Sequence, residues 1–443
     1  MQGRPGIGIT RSDKVFQLVS GWRPCRIDIV FPLEMSVSPT LDLREMNISD
    51  LYCLRAPPAA RTYGRSVRNA LGLIALVWVF ASFSHAEDRS TLVVAKLQAS
   101  KVSVDGDGVV DVPTMTVPFS SFASPQAKAA FLESQKSLDK WMNTLFTNGP
   151  PDIAKQRRAF VERFQPALDR TRAIYPVDVV SGVFIGGVST DVITPKGGIP
   201  AGNKNRVLIN LHGGGFLWGA HIMGALESVP VAGLGKIKVI TVDYRQGPEH
   251  KFPAASEDVI AVYRALLERY KPESIGIYGC SAGGLLTAEA IAWIGKEKLP
   301  LPGAIGIFCA SAAGWSGGDS GAVALPLSGT TVPPNALAPP HPEVSNSTYF
   351  SDADFADPLV MPVRSSDLLK RFPPTLIVTS TRDSAMSPAV YTHAQLTRLG
   401  VDAELHVWEG LGHGFFTTDP DFPETREVWS VVVKFFDRHL ATN

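Results

Sequence analysis

From Val177 onward the chain alternates short apolar runs with turn residues and helix-patterned stretches. The runs at 207–211, 239–242, 275–278, 304–308, 376–378 and 405–408 are apolar with little polar alternation, which predicts strands buried on both faces of a mostly parallel sheet. Helical spacing fills the intervals. Val259, Val262, Tyr263, Leu266 and Leu267 form one stripe after Ser256, and 428–440 makes a closing helix. Upstream, Ser124-Pro125 offers an N-cap and a proline at the first helical position, with Phe131, Leu138, Trp141 and Met142 on one face beyond it. Phe160, Val161, Phe164 and Leu168 mark a second helix, with a kink expected at Pro166. Two helices ahead of the first strands predict a small helical cap on an α/β fold. A stretch rich in Gly, Ser, Ala and Pro, 311–340, reads as a surface excursion that borders whatever site the strand ends build.

The first 86 residues follow another pattern. The run 70–83 (ALGLIALVWVFASF) is nearly all apolar but shorter than the ~20 residues a membrane-spanning helix needs. Arg55, Arg61, Arg65 and Arg68 precede it, and Ser84-His85-Ala86 follows. A basic segment, an apolar segment and then small-x-small is the pattern of a secretory signal peptide ending near Ala86, so the expectation is a periplasmic or secreted protein. The basic segment is unusually long, which points to a true start downstream, at Met46 or at a non-Met codon nearer Arg65. The expected organisation is a leader and signal peptide over 1–86, an N-terminal segment with cap helices over 87–175, and a catalytic domain over 176–443.

Composition narrows the chemistry. With 45% hydrophobic residues and 42 basic against 42 acidic side chains, the chain can bury a large core, and it carries no basic footprint for nucleic acid. Small molecules are the expected partners, with no stable membrane span after processing. Of four cysteines, Cys25 and Cys53 fall in the leader, and Cys280 and Cys309 do not make a disulfide framework. No metal-ligand spacing is present, and Asp105-Gly106-Asp107-Gly108 lacks the closing glutamate of a calcium loop, so it is read as a turn; neither metal nor cofactor is expected.

The segment Gly279-Cys280-Ser281-Ala282-Gly283 joins a predicted strand to a predicted helix and sets a thiol beside a hydroxyl. A side chain at the tip of so sharp a turn needs neighbours without bulk two positions away on either side. Around Ser281 these are Gly279 and Gly283; around Cys280 they are Tyr278 and Ala282. Ser281 is the candidate nucleophile. His212-Gly213-Gly214-Gly215 follows the strand 207–211, and amides in such a loop, with that of Ala282, can stabilise the oxyanion of a tetrahedral intermediate. A serine nucleophile needs an oriented base. Asp383 and His413 each follow a predicted strand, in the order Ser, acid, His; Glu409 competes as the acid but lies close to His413 in sequence.

Together these motifs resemble the hormone-sensitive-lipase-like branch of the α/β-hydrolases, serine esterases with an H-G-G-G oxyanion loop. The resemblance runs from about Ser124 to the C-terminus and includes Asp243-Tyr244-Arg245-Gln246-Gly247-Pro248-Glu249-His250-Lys251-Phe252-Pro253-Ala254-Ala255 and Asp357-Pro358-Leu359. It implies the α/β-hydrolase fold, Ser281 with Asp383 and His413 as a triad, the amides of Gly214, Gly215 and Ala282 as oxyanion hole, and His212, Gly213 and Glu249 as supports of that loop. Two positions depart from the family pattern: Cys280, where Asp or Thr is usual, and Asp383-Ser384-Ala385, where Asp-Pro-Leu is usual. The expected activity is hydrolysis of carboxylic esters of short to medium acyl chain through an acyl-enzyme. The alternatives are an amide, formamide or lactone hydrolase with the same triad, or a non-catalytic binding protein, whose mark would be a missing Ser or His.

Overall fold

The computed structural model describes residues 8–12, 15–19, 102–112, 116–145, 152–314, 316–329 and 348–441. The arginine-rich flank, the apolar run 70–83 and Ala86 lie outside the described residues, as does 330–347 of the Gly/Pro-rich excursion. The chain divides into two compact units, Met1–Met115 and Thr116–Asn443. In the first, Gly8–Ser12 pairs antiparallel with Val15–Val19, and Ser103–Val104 with Val110–Asp111. The Asp105 carboxylate closes the latter turn, accepting the amides of Asp107 at 3.0 Å and Val109 at 2.8 Å. Its Oδ1 serves the backbone.

The second unit is built on an eight-stranded sheet: β1 Val177–Ile185, β2 Val188–Pro195, β3 Val207–Leu211, β4 Lys238–Val242, β5 Ile275–Cys280, β6 Ala304–Phe308, β7 Thr375–Arg382 and β8 Ala403–Gly412. The order across the sheet is β1-β2-β4-β3-β5-β6-β7-β8. Strands β3 to β8 pair parallel, and β2 alone runs against its neighbours. Every residue of β3, β5 and β6 is buried, as strands covered on both faces require.

Helices α1 Pro125–Leu145 and α2 Ile153–Ile174 precede the sheet; α3 Ile222–Gly235, α4 Ala254–Leu267, α5 Ala282–Lys296, α6 Gly318–Leu327, α7 Met386–Arg398 and α8 Pro423–His439 follow or interleave it. Alternate strand residues feed two cores. Val207, Ile209, Ile277 and Ile307 pack with α4 and α5 on one face, while Leu208, Tyr278, Phe308 and Val378 pack with α3 and α8 on the other. Ser124 caps α1 by accepting the Ala127 amide at 3.0 Å, and its hydroxyl and amide both bond Glu424 of α8.

Two expectations are revised, and two strands are added to those the apolar runs predict. Strands β1 and β2 carry no uniformly apolar run; their burial is mixed and partly alternating, as suits an antiparallel pair at a sheet edge. Val161 faces outward, whereas Phe160, Ala167, Leu168 and Thr171 form the buried side of α2, which continues as helix through Pro166. The excursion after Ser311 is not all loop, since α6 lies within it and buries Ser320 and Ala324. Among the described residues no helix is long and apolar enough to cross a membrane.

Candidate active site

Strand register decides which side chains meet. Arg382 of β7 pairs with Gly412 of β8, so the next residues, Asp383 and His413, leave neighbouring strands side by side. Phe308 of β6 pairs with Cys280 of β5, which aligns Cys309 with Ser281, and Leu211 of β3 pairs with Gly279, which brings His212 and the glycine loop to the same end. All of these lie at carboxyl ends of parallel strands, where an open α/β sheet builds its sites.

Ser281 turns from β5 into α5 at φ 56° and ψ −119°, outside the ordinary range of a non-glycine residue. Its amide donates to the Phe308 carbonyl at 2.8 Å. The small flanking residues have a specific reason. A Cβ on Gly283 would lie 1.7 Å from the Leu211 carbonyl oxygen, and one on Gly279 would lie 2.5 Å from the Gly283 carbonyl. The clash that excludes bulk is therefore with β3 and between the two flanks, not with Ser281 itself.

The structure brings the three predicted side chains into one chain of hydrogen bonds. His413 Nε2 lies 2.9 Å from Ser281 Oγ, and His413 Nδ1 lies 2.7 Å from Asp383 Oδ1. Asp383 is fully buried and also accepts the Ala385 amide at 3.0 Å and the Thr379 hydroxyl at 3.1 Å. Burial alone would raise its carboxyl, yet the His413 imidazole, the Ala385 amide and the Cys309 thiol together hold it below the usual range. For His413 burial pulls downward, but the Asp383 charge and hydrogen bond win and raise it. Glu409, the competing acid, is exposed on β8.

Cys280 and Cys309 are free and buried, and their thiols hydrogen-bond each other. Cys309 Sγ also accepts the Gly414 amide at 3.3 Å and sits close to Asp383 and His413. Cys280 thus faces the thiol behind the elbow. The departure at Ala385 is equally inconspicuous, since that residue serves Asp383 through its amide.

The glycine loop is shaped from three sides. Gly214 adopts φ +128°, and a Cβ there would strike the Trp218 carbonyl at 2.1 Å. Among the described residues the amides of Gly214, Gly215 and Ala282 meet no acceptor, whereas Gly213 donates to Glu227 at 2.8 Å. His212 is buried; its Nδ1 lies 2.9 Å from the Gly213 carbonyl and its Nε2 3.2 Å from Gln246 Nε2, while Tyr244 donates to its backbone carbonyl at 2.7 Å. Glu249 acts at one remove. It grips Arg157 of α2 at 2.7 and 2.8 Å, and Arg157 in turn donates to the carbonyls of Leu217 and Gly247, each at 2.9 Å. The sequence alone does not point to Arg157, Glu227, Asn210 or Thr379 as site residues. Their partners come from other segments, and only the charge of Glu227 inside an apolar run gives a local signal.

An oriented Ser-His-Asp chain facing free amides at the carboxyl edge of this sheet defines the serine-hydrolase type of α/β-hydrolase. A family model for the alpha/beta hydrolase fold matches residues 208–417. "Esterase LipU" of Mycobacterium tuberculosis is 28% identical over 268 residues, covering 56% of this chain and 82% of that protein. The crystal structure of an esterase named E25 superposes with a TM-score of 0.62 at 29% identity, covering 74% of this chain and 98% of that one. That of an esterase from the bacterial hormone-sensitive lipase family has a TM-score of 0.57 at 22% identity, covering 71% and 98%, a likeness of fold. The chain is an α/β-hydrolase-fold enzyme of the esterase/lipase type.

Proposed function

We propose that Ser281 is the nucleophile of a carboxylesterase acting on esters of short to medium acyl chain, with His413 as base and Asp383 as its orienting acid. The observation that carries this reading is the bond chain from Ser281 Oγ through His413 to Asp383, at 2.9 and 2.7 Å. With Nδ1–H donated to Asp383, the Nε2 lone pair accepts the serine proton as Oγ attacks the acyl carbon. The oxyanion takes hydrogen bonds from the amides of Gly214, Gly215 and Ala282. His413 then returns the proton from Nε2 to the departing alkoxide. It next deprotonates a water, whose oxygen attacks the acyl carbon, and gives that proton to Ser281 Oγ as the acyl–serine bond breaks, releasing the acid and restoring Ser281. No step calls for a cofactor. A cap of only two helices, α1 and α2, supports a preference for small acyl groups over lipid chains.

The test is a C2 to C16 series of chromogenic esters on the mature protein. Efficiency should be highest on the short chains, Ser281→Ala should lose about 10⁶-fold in kcat, and Cys280→Ala should stay within a few-fold. Activity surviving in the serine variant would overturn the assignment, and a long-chain optimum would overturn the substrate range. We further propose that the protein is exported, on the strength of the arginine-rich, apolar, small-residue succession ending at Ala86. N-terminal sequencing of extracytoplasmic material should begin near Glu87; intact 1–86 on a cytosolic protein would refute it.

A further inference from the structure

Helix α3 is apolar almost all round and buried along nearly its whole length, yet it carries a glutamate. Glu227 is completely buried. Its Oε1 accepts the Gly213 amide at 2.8 Å, its Oε2 accepts Asn210 Nδ2 at 2.8 Å, and the Cys280 amide donates to the same carboxylate. These donors come from three segments: the oxyanion loop, strand β3 and the end of β5. Gly213 directly precedes Gly214, and Cys280 directly precedes Ser281.

The oxyanion hole needs amides from both segments aimed at one oxygen. A shift of ~1 Å between such parts costs on the order of 10²-fold in rate. The two segments already touch near Ser281: a Cβ on Gly213 would lie 3.0 Å from the Cys280 carbonyl, 3.3 Å from Glu227 Oε1 and 3.6 Å from Ser281 Cβ. We infer that Glu227 is a positioning residue that locks the oxyanion loop and the nucleophile turn in one register, so that the amides of Gly214, Gly215 and Ala282 converge.

A carboxyl group suits this task because each of its two oxygens can accept an N–H, and three N–H groups from separate segments point at it. Burial is the leading influence on the group and pushes it up to about 8, against the opposing pull of Asn210, Gly213 and Cys280. The surrounding layer holds the donors themselves in place. Asn210 Oδ1 accepts the Thr241 hydroxyl at 2.7 Å, Thr241 and Ser228 hydroxyls lie 2.9 Å apart, and Tyr278 donates to the Glu227 backbone carbonyl at 3.2 Å. A side chain kept only for stability would need no link to both halves of the site. A buried polar group left unpaired is costly, so its partners must be kept as a set.

The inference rests on the proposed roles of Ser281 and the three amides, and the two can fail separately. If Ser281→Ala stays active, that reading falls whatever Glu227 does. With Ser281 established, Glu227→Gln keeps volume but puts an NH₂ where an acceptor stood. It should fold, lose about 10- to 100-fold in kcat, and change KM less than about threefold, because the oxyanion contacts act in the transition state. Glu227→Asp, which withdraws the carboxylate by one methylene, should show the same kcat-specific loss. Val229→Ala, buried on the same helix but with an apolar side chain that bonds none of these groups, should keep kcat within about threefold. The proposal is overturned if kcat of both Glu227 variants stays near the parent, if the loss lies in KM, or if Val229→Ala matches it. Failure of both Glu227 variants to fold would likewise assign the residue to stability alone.

Discussion

Ser281 holds a backbone conformation of the kind that costs ~1–3 kcal/mol, and the bond from its amide to Phe308 together with the buried length of α5 keeps it there. Its base sets the pH response. His413 must be neutral to accept the serine proton, and Asp383 raises it above the ordinary imidazole value of about 6.5. Below that raised value the imidazolium has no lone pair at Nε2, so kcat/KM should climb with pH and level off, with the midpoint above 6.5 rather than at it. Asp383, held low, stays ionised throughout and adds no second limb in this range. A pH–rate profile from about 5 to 9 on a short ester checks this; a midpoint below 6 would contradict the Asp383 contact. Residues of this kind are legible in sequence when their chemistry sits in a short motif at a strand end, as for Ser281 and the His212 loop. Arg157 works through partners 60 to 92 positions away, and no local pattern exposes it; Glu227, with a partner 14 positions away, shows only as a charge inside an apolar run.

At the scale of elements, the strands buried on both faces stood out as apolar runs, and their ends were set only to within a few residues. Strand β7 extends four residues past the apolar run, through Arg382, because Thr379 and Ser380 turn their hydroxyls to Asp383 and to the Gly412 carbonyl and need no apolar side chain. Helix α3 is illegible in the sequence for a physical reason: buried on all sides, with Pro230 inside it, it has no polar face to reveal a period. Elements also carry a coupling that motifs do not show. Helix α2 is tied to the oxyanion loop by the Arg157 fork, while α1 lies near the histidine side, where Gln135 donates to the Ser328 carbonyl at 3.2 Å. Arg157→Ala should lower kcat/KM about tenfold by loosening the Leu217 and Gly247 carbonyls. Glu249→Ala should cost less, because the carbonyl bonds survive and a half-exposed ion pair contributes little. Kinetics of both variants, with melting curves in parallel, check the order; a larger loss in Glu249→Ala would reverse it.

At the scale of the molecule, the Thr116–Asn443 unit assembles its site from α2, the loop after β3, the elbow after β5 and the ends of β7 and β8. The mostly parallel sheet and the helices around it follow from the hydrophobic pattern; the register that makes Asp383 and His413 neighbours does not, since it depends on the bulge between Ser380 and Arg382. The contact of Gly283 with the Leu211 carbonyl has a further consequence, for how this chain can change in length. The oxyanion loop and the nucleophile elbow leave the sheet from touching backbone, so an added residue in either would drive one through the other. The opposite edge is free of that constraint. There Gly197 and Gly198 face open space and Lys296, Glu297 and Lys298 lie exposed. Tags, linkers and inserted domains belong at those turns, where the protein can grow without disturbing the hydroxyl it works with.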